Sequence, residues 1–268
     1  MIRLLKLEWT KFRKNNVIIL MLTFFSLFLP ASLYFTTIIP TLPAFFPSKE
    51  SIIQFPSIWE YLGYAGNWMS FFFLGVLAIY LVSIEINNKT LRQSIINGLS
   101  RQEYFLSKVL SIFVLSIGAT LFYTILCIII GIINTEPDTL KLIFDNAYAI
   151  PRFFLMTFGY LSFALFLIFI IRRSGIALFL YIAYGIIIEV LIRYFIIEKV
   201  SNTAITNYFP LNSFEDLMPN PAFKFTESIP NSVEFDFLLT HQQATLSSII
   251  YIILFLGISY LSFMKRDI

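Results

Sequence analysis

The sequence predicts an all-α polytopic membrane protein with six transmembrane helices, and three observations carry that prediction. Of the 268 residues, 58% are hydrophobic and only 13% charged, about half the charge of an average soluble domain. The apolar residues fall into six blocks, each able to cross a hydrocarbon core of about 30 Å, which takes about 20 helical residues. The charges left between the blocks sort by sign along the chain. With a mean hydropathy of +0.80, these observations exclude a soluble enzyme, and residues 1–268 are read as one transmembrane domain.

The elements follow in order. Ile2, Leu5, Trp9 and Phe12 recur on one helical face, with Arg3, Lys6, Lys11, Arg13 and Lys14 opposite or flanking it. Residues 1–16 are therefore expected to form an interfacial amphipathic helix, with Trp9 and Phe12 at headgroup level. The plainer reading is a basic flank that only fixes topology. The spans are expected near 17–39, 59–84, 109–133, 153–171, 175–197 and 245–264. The first is too long for a signal-peptide core and lacks a small-residue cleavage site, so it is retained. Pro30 interrupts it and predicts a kink. Only Arg172, Arg173 and Ser174 separate the fourth span from the fifth. The longest loop, 198–244, contains apolar stretches such as 235–239 that suggest short helices.

Orientation follows from Lys and Arg. If the N-terminus is inside, the inner segments are 1–16, 85–108, 172–174 and 265–268. They hold 13 of the 19 basic residues and 4 of the 16 acidic ones. Short loops rich in Lys and Arg stay cytoplasmic, so both termini are expected on the cytoplasmic side. Pro40, Pro43, Pro47, Pro56, Pro137, Pro210, Pro219, Pro221 and Pro230 then all fall in outer loops.

The inner loop from Glu85 to Lys108 is the most patterned segment. Asn88 or Thr90 can cap a short helix, Leu91 and Ile95, with Ile96 and Leu99 nearby, form its apolar stripe, and Gly98 can end it in a left-handed conformation. Ser100 and Glu103 then match a capping box, so a second helix is expected to start at about Arg101 and run into the third span. A helix of about two turns, joined rigidly to a span, can pass a push from a cytoplasmic partner to the membrane. It can equally be a well-capped connector.

Inside the membrane, Glu189 and Arg193 stand one turn apart in the outer half of the fifth span. Ionisable groups at that depth face protein or water. The pair either lines an outer vestibule or dimer interface, or neutralises itself while Arg193 snorkels outward. Asn67 and Tyr181 have the same two readings, pathway or helix packing. One cysteine, Cys127, and one histidine, His241, cannot build a zinc site. No catalytic set or P-loop motif G-x-x-x-x-G-K-[ST] occurs.

The run Glu85, Thr90, Arg92, Ser100-Arg101, Tyr104-Phe105 and Lys108, with the opening Glu8-Trp-Thr-Lys11-Phe, resembles the membrane subunit of ABC-type exporters with the type V fold. It is most similar to the bacitracin- and lantibiotic-immunity-type permeases, although Lys89 stands where a glycine is common and Leu99 where a proline is. The resemblance implies that Glu85, Thr90, Leu91, Arg92, Ile95, Gly98 and Arg101 form an ATPase-coupling element. It implies a second permease chain and a separate P-loop ATPase carrying ATP and Mg, in the cytoplasmic membrane of a prokaryote. The exported substrate would be a peptide antibiotic, lipid or drug. No nucleic-acid partner and no cofactor in this chain are expected. A second reading is an ion-coupled secondary transporter or channel, with Glu189 as its coupling carboxylate. A third is a membrane scaffold without transport.

Overall fold

The computed structural model describes residues 2–38, 52–200, 206–221 and 238–265. Within them six helices are long and apolar enough to cross a membrane. Helix α1 covers Ile2–Phe12, and α2 covers Asn16–Ile38, running on through Pro30. Helix α2 starts where the Asn15 side chain accepts the Val17 N–H at 2.9 Å, an N-cap that satisfies a donor the helix itself leaves open. Helix α3 spans Ile58–Asn87, α4 is Thr90–Ile96, and α5 is Arg101–Asn134. Helix α6 is Ala149–Ile171. Helix α7 consists of Ser174–Ala183, Tyr184–Ile188 and Glu189–Val200 in unbroken succession. A short helix, α8, covers Pro210–Glu215, and α9 covers His241–Lys265. Every expected span is found, with ends displaced by a few residues, and α5 begins at Arg101, where the capping box placed the start of the helix that runs into the third span. Of the prolines expected in outer loops, Pro40, Pro43, Pro47 and Pro230 lie outside the described residues, as does most of 235–239.

Burial sorts the spans. Helix α3 and the fourth span are each 61% buried over their most apolar window, whereas α2 and the fifth span are 22% buried. The first pair is therefore the core of the bundle, and the second pair presents apolar side chains outward. Aromatic contacts fill the core: the Tyr123 ring on α5 stacks on Phe153 of α6 at 4.2 Å, and its hydroxyl donates to the Trp59 carbonyl on α3. Offset ring pairs of this kind add about 0.5–1.5 kcal/mol beyond burial.

Helix α1, helix α4 and the end of α9 share one end of the bundle, where Arg101 donates to the Met264 carbonyl at 3.1 Å. On α1 the residues packed on the bundle are Leu4 and Glu8, Leu5 and Phe12 are half-buried, and Trp9 is 69% exposed. Glu8 meets Lys108 there at 2.6 Å.

Candidate functional site

The connection from α3 to α5 is built by two left-handed residues and one cap. Asn88 and Thr90 do not cap α4. Lys89 stands at its N-cap with φ 56° and no side-chain hydrogen bond, and Thr90 instead donates to the Glu85 carbonyl at 3.3 Å. Gly98 ends the element with φ 97°, a region that costs a residue with a side chain about 1–2 kcal/mol. The capping box is present in both directions: Ser100 Oγ accepts the Glu103 N–H at 3.1 Å, and Glu103 accepts the Ser100 N–H at 2.9 Å. Leu91 is buried and Ile95 half-buried, while Arg92 and Ile96 are exposed. Helix α4 thus lies with one face on the bundle and the other open. Beside it a cavity of about 280 Å³ is lined by Ile86, Leu91, Arg92, Phe169, Arg172 and Phe263.

Under this connection lies a quartet of charges, of which Glu8, Glu85 and Lys108 are buried and Lys11 stands at the exposed edge. Lys108 Nζ sits 2.6 Å from Glu8 Oε2 and 2.7 Å from Glu85 Oε1. Lys11 Nζ reaches the same Glu85 oxygen at 3.1 Å and Glu8 Oε1 at 3.5 Å. Ser107 donates to Glu8 at 3.3 Å, and the Lys108 ammonium lies over the Phe12 and Tyr104 rings. Two ammonium groups against two carboxylates leave no net charge, which is what makes such burial tolerable. The quartet pins α1 to the end of α3 and the start of α5. Glu8, Glu85 and Lys108 were visible as parts of a resemblance and Lys11 also as a flanking cation; their pairing with one another was not expected. A charge at the membrane boundary names no partner when that partner is a hundred residues away.

At mid-bundle, α3 and α7 each carry one π-helical stretch, Ser70–Gly75 and Tyr184–Ile188, and the two interlock. The Phe71 and Tyr181 rings stack at 4.7 Å, and the Tyr181 hydroxyl donates to the Phe71 carbonyl at 3.0 Å. A Cβ on Gly75 would lie 1.9 Å from that hydroxyl, and one on Gly185 would lie 2.4 Å from the Phe71 ring. Only glycine at both positions permits this approach. π-Bulges of this kind often mark functional positions. Asn67, also buried, accepts from Tyr160 at 2.6 Å and donates to the Glu215 carbonyl. Asn67 and Tyr181 therefore both face the interior of this chain.

At the opposite end, Glu189 does not take its hydrogen bonds from Arg193. Its two oxygens accept the backbone N–H groups of Leu211 at 3.1 Å and Asn212 at 2.7 Å, holding the first turn of α8. Arg193 instead donates to the Asn212 side chain. Asn212 in turn donates to Asp216 at 2.9 Å, and Asp216 accepts the Leu239 N–H at 2.9 Å. Burial pushes the Asp216 carboxyl up to about 7, reinforced by the neighbouring Glu215. Phe214 is fully buried and meets Tyr160 edge-on at 5.6 Å. Helix α8 is thus folded back into the bundle and tied to α3, α6, α7 and α9. Asn212 and Asp216 could not be found from sequence, because their partners are set by the return of a loop.

The residues singled out by the sequence fall in three places: the coupling residues beside α4, Asn67 and Tyr181 at the core, and Glu189 with Arg193 under α8. Among the described residues no group of three His, Cys, Asp or Glu side chains could hold a metal ion. The short helix α4, the interlock at mid-bundle and the tie to α8 all involve α3. In the comparisons, residues 4–193 match the family model described as ABC-2 family transporter protein. No curated protein matches the chain.

Proposed function

Because the chain belongs to the ABC-2 family of transporter proteins, and is a multi-pass membrane component of an ABC transporter, we propose that it is half of the permease of an ATP-driven exporter of the type V kind. In this reading residues 1–268 form one transmembrane domain in a prokaryotic cytoplasmic membrane, with both termini inside. Two such chains, identical or similar, pair with two copies of a separate P-loop ATPase that carries ATP and Mg. The cargo is hydrophobic or amphipathic: a peptide antibiotic, a lipid or a drug.

The observation that carries the reading is the seating of α4. Leu91 anchors it, while Lys89 and Gly98 in left-handed conformations fix its two ends. The Glu85–Lys108 pair holds together the end of α3 and the start of α5, the two spans that α4 joins. A push on the open face, at Arg92 and Ile96, would move these spans as a rigid unit. That motion would reach α7 through the Phe71–Tyr181 interlock and α8 through Glu189. Mostly unburied α2 and α7 supply apolar surface for lipid or a second chain.

The test is co-purification with the cognate P-loop subunit and measurement of its ATPase activity. Ile96→Glu, at a side chain that is 74% exposed, is expected to abolish stimulation while the protein stays folded. Full stimulation in that variant, or no complex with any cognate ATPase, overturns the reading. The alternative of Glu189 as the coupling carboxylate of a secondary transporter has less support, since both of its oxygens already hold the backbone of α8.

A further inference from the structure

Between the first turns of α6 and α9, at the end of the bundle opposite α4, lies a cleft of about 820 Å³, the size range of small-ligand sites. Its two halves differ in chemistry. The rim carries Glu60, Arg152 and His241, while Leu155, Leu246 and Ile249 line the wall below. Arg152 Nη1 stands 2.7 Å from His241 Nε2 and its Nε donates to the Tyr148 carbonyl at 3.2 Å, so the guanidinium is held from two sides. Glu60 accepts from Asn146 at 3.2 Å, which orients the carboxylate at the same rim. From His241 to Ile249 the wall descends eight residues, about 12 Å of helix. That is most of the roughly 15 Å depth of one leaflet's hydrocarbon.

We propose that this cleft binds a single phospholipid whose head carries both a phosphate and a primary ammonium. The phosphate faces Arg152 and His241, the ammonium faces Glu60, and an acyl chain lies along Leu246 and Ile249. One guanidinium and one carboxylate sum to zero, which complements a zwitterion better than an anionic head. Arg offers its fork of donors to phosphate. A carboxylate accepts hydrogen bonds from a primary ammonium, whereas a quaternary one has no N–H to give. The inference concerns binding alone and does not rest on the chain being a permease.

The test uses the purified full chain in nanodiscs of equal parts phosphatidylethanolamine, phosphatidylcholine and phosphatidylglycerol, with retained lipid counted by native mass spectrometry. The expected result is one phosphatidylethanolamine per chain, retained over the other two by about tenfold, the ratio that one charge-assisted hydrogen bond supplies. Glu60→Gln is expected to erase the preference over phosphatidylcholine while lipid is still held. Arg152→Gln is expected to lower retention of every phospholipid. Leu246→Trp, at a side chain that is 65% exposed and so tolerant of change, fills the acyl groove and is expected to lower retention with the rim intact. It decides the matter if Arg152→Gln does not fold. Equal retention of the three lipids, preference for phosphatidylglycerol, or retention unaffected by Leu246→Trp overturns the proposal. So does displacement of the lipid by soluble phosphoethanolamine at matching concentration, which would mean the head alone is read.

Discussion

Lys108 meets Glu8 at 2.6 Å, a hundred residues back along the chain, and the ammonium between them is 1% exposed. The same ammonium holds Glu85, so one side chain joins the N-terminal helix to two spans. Replacing Lys108 by Met leaves two buried carboxylates facing Lys11 alone, and breaking a buried pair costs about 3–5 kcal/mol. We expect a sharply lower melting temperature in detergent, partly regained in the double variant with Glu8→Gln. Additive losses in the double variant would mean that the two residues are not coupled.

Gly98→Ala tests the clamp on α4. A Cβ there meets nothing within 4 Å, so the effect isolates the backbone: a side chain at φ 97° costs about 1–2 kcal/mol. Gly118→Ala, equally open in space but inside α5, is expected to stabilise by up to about 1 kcal/mol. Opposite shifts of the two variants in one thermal-melt series confirm that conformation sets the effect.

Gly75→Ala tests the interlock at mid-bundle. Its Cβ would collide with the Tyr181 hydroxyl, and overpacking of this kind costs about 1–3 kcal/mol. Tyr181→Leu in the same chain is expected to relieve part of the loss, giving a coupling energy that a double-mutant cycle reads directly.

Glu189→Gln tests the tie to α8. A side-chain amide offers one oxygen where the carboxylate offers two, so one of the Leu211 and Asn212 N–H groups loses its partner. Leaving a buried donor unsatisfied costs about 1–3 kcal/mol. Hydrogen exchange at residues 211–212 is expected to quicken by roughly tenfold, with exchange in α5 unchanged.

The pH dependence of the same region follows from Asp216. Its carboxyl rises from 3.8 to about 7 on folding, through burial and the adjacent Glu215, with Arg193 opposing. The folded state then binds more protons than the unfolded state between these values, so stability falls as pH rises from about 4 to about 7. We expect α8 to be better protected from exchange at pH 5 than at pH 8, and Asp216→Asn to flatten that difference.

The spans were legible because length and apolarity are local properties. The capping box at Ser100 and the stop at Gly98 were legible because each is a motif of a few residues. Contacts across the bundle were not. The residues around Asn88 do not themselves show that Lys89 takes the left-handed turn; the one signal was that a glycine is common at that position in the family the run resembles. The π-stretches leave no mark beyond Gly75 and Gly185, since neither contains proline, and their meaning depends on Phe71 and Tyr181 meeting 110 residues apart. Glu189 and Arg193, one turn apart, invited pairing with each other; the returning loop offered both better partners.

The charge quartet also limits when its contacts can form. Glu8, Lys11 and Glu85 are all synthesised before Lys108. Until residue 108 leaves the ribosome, Lys11 is the only one of the quartet's two cations available to the carboxylates. The full set of ion pairs among α1, α3 and α5 can therefore close only after the start of α5 has been made.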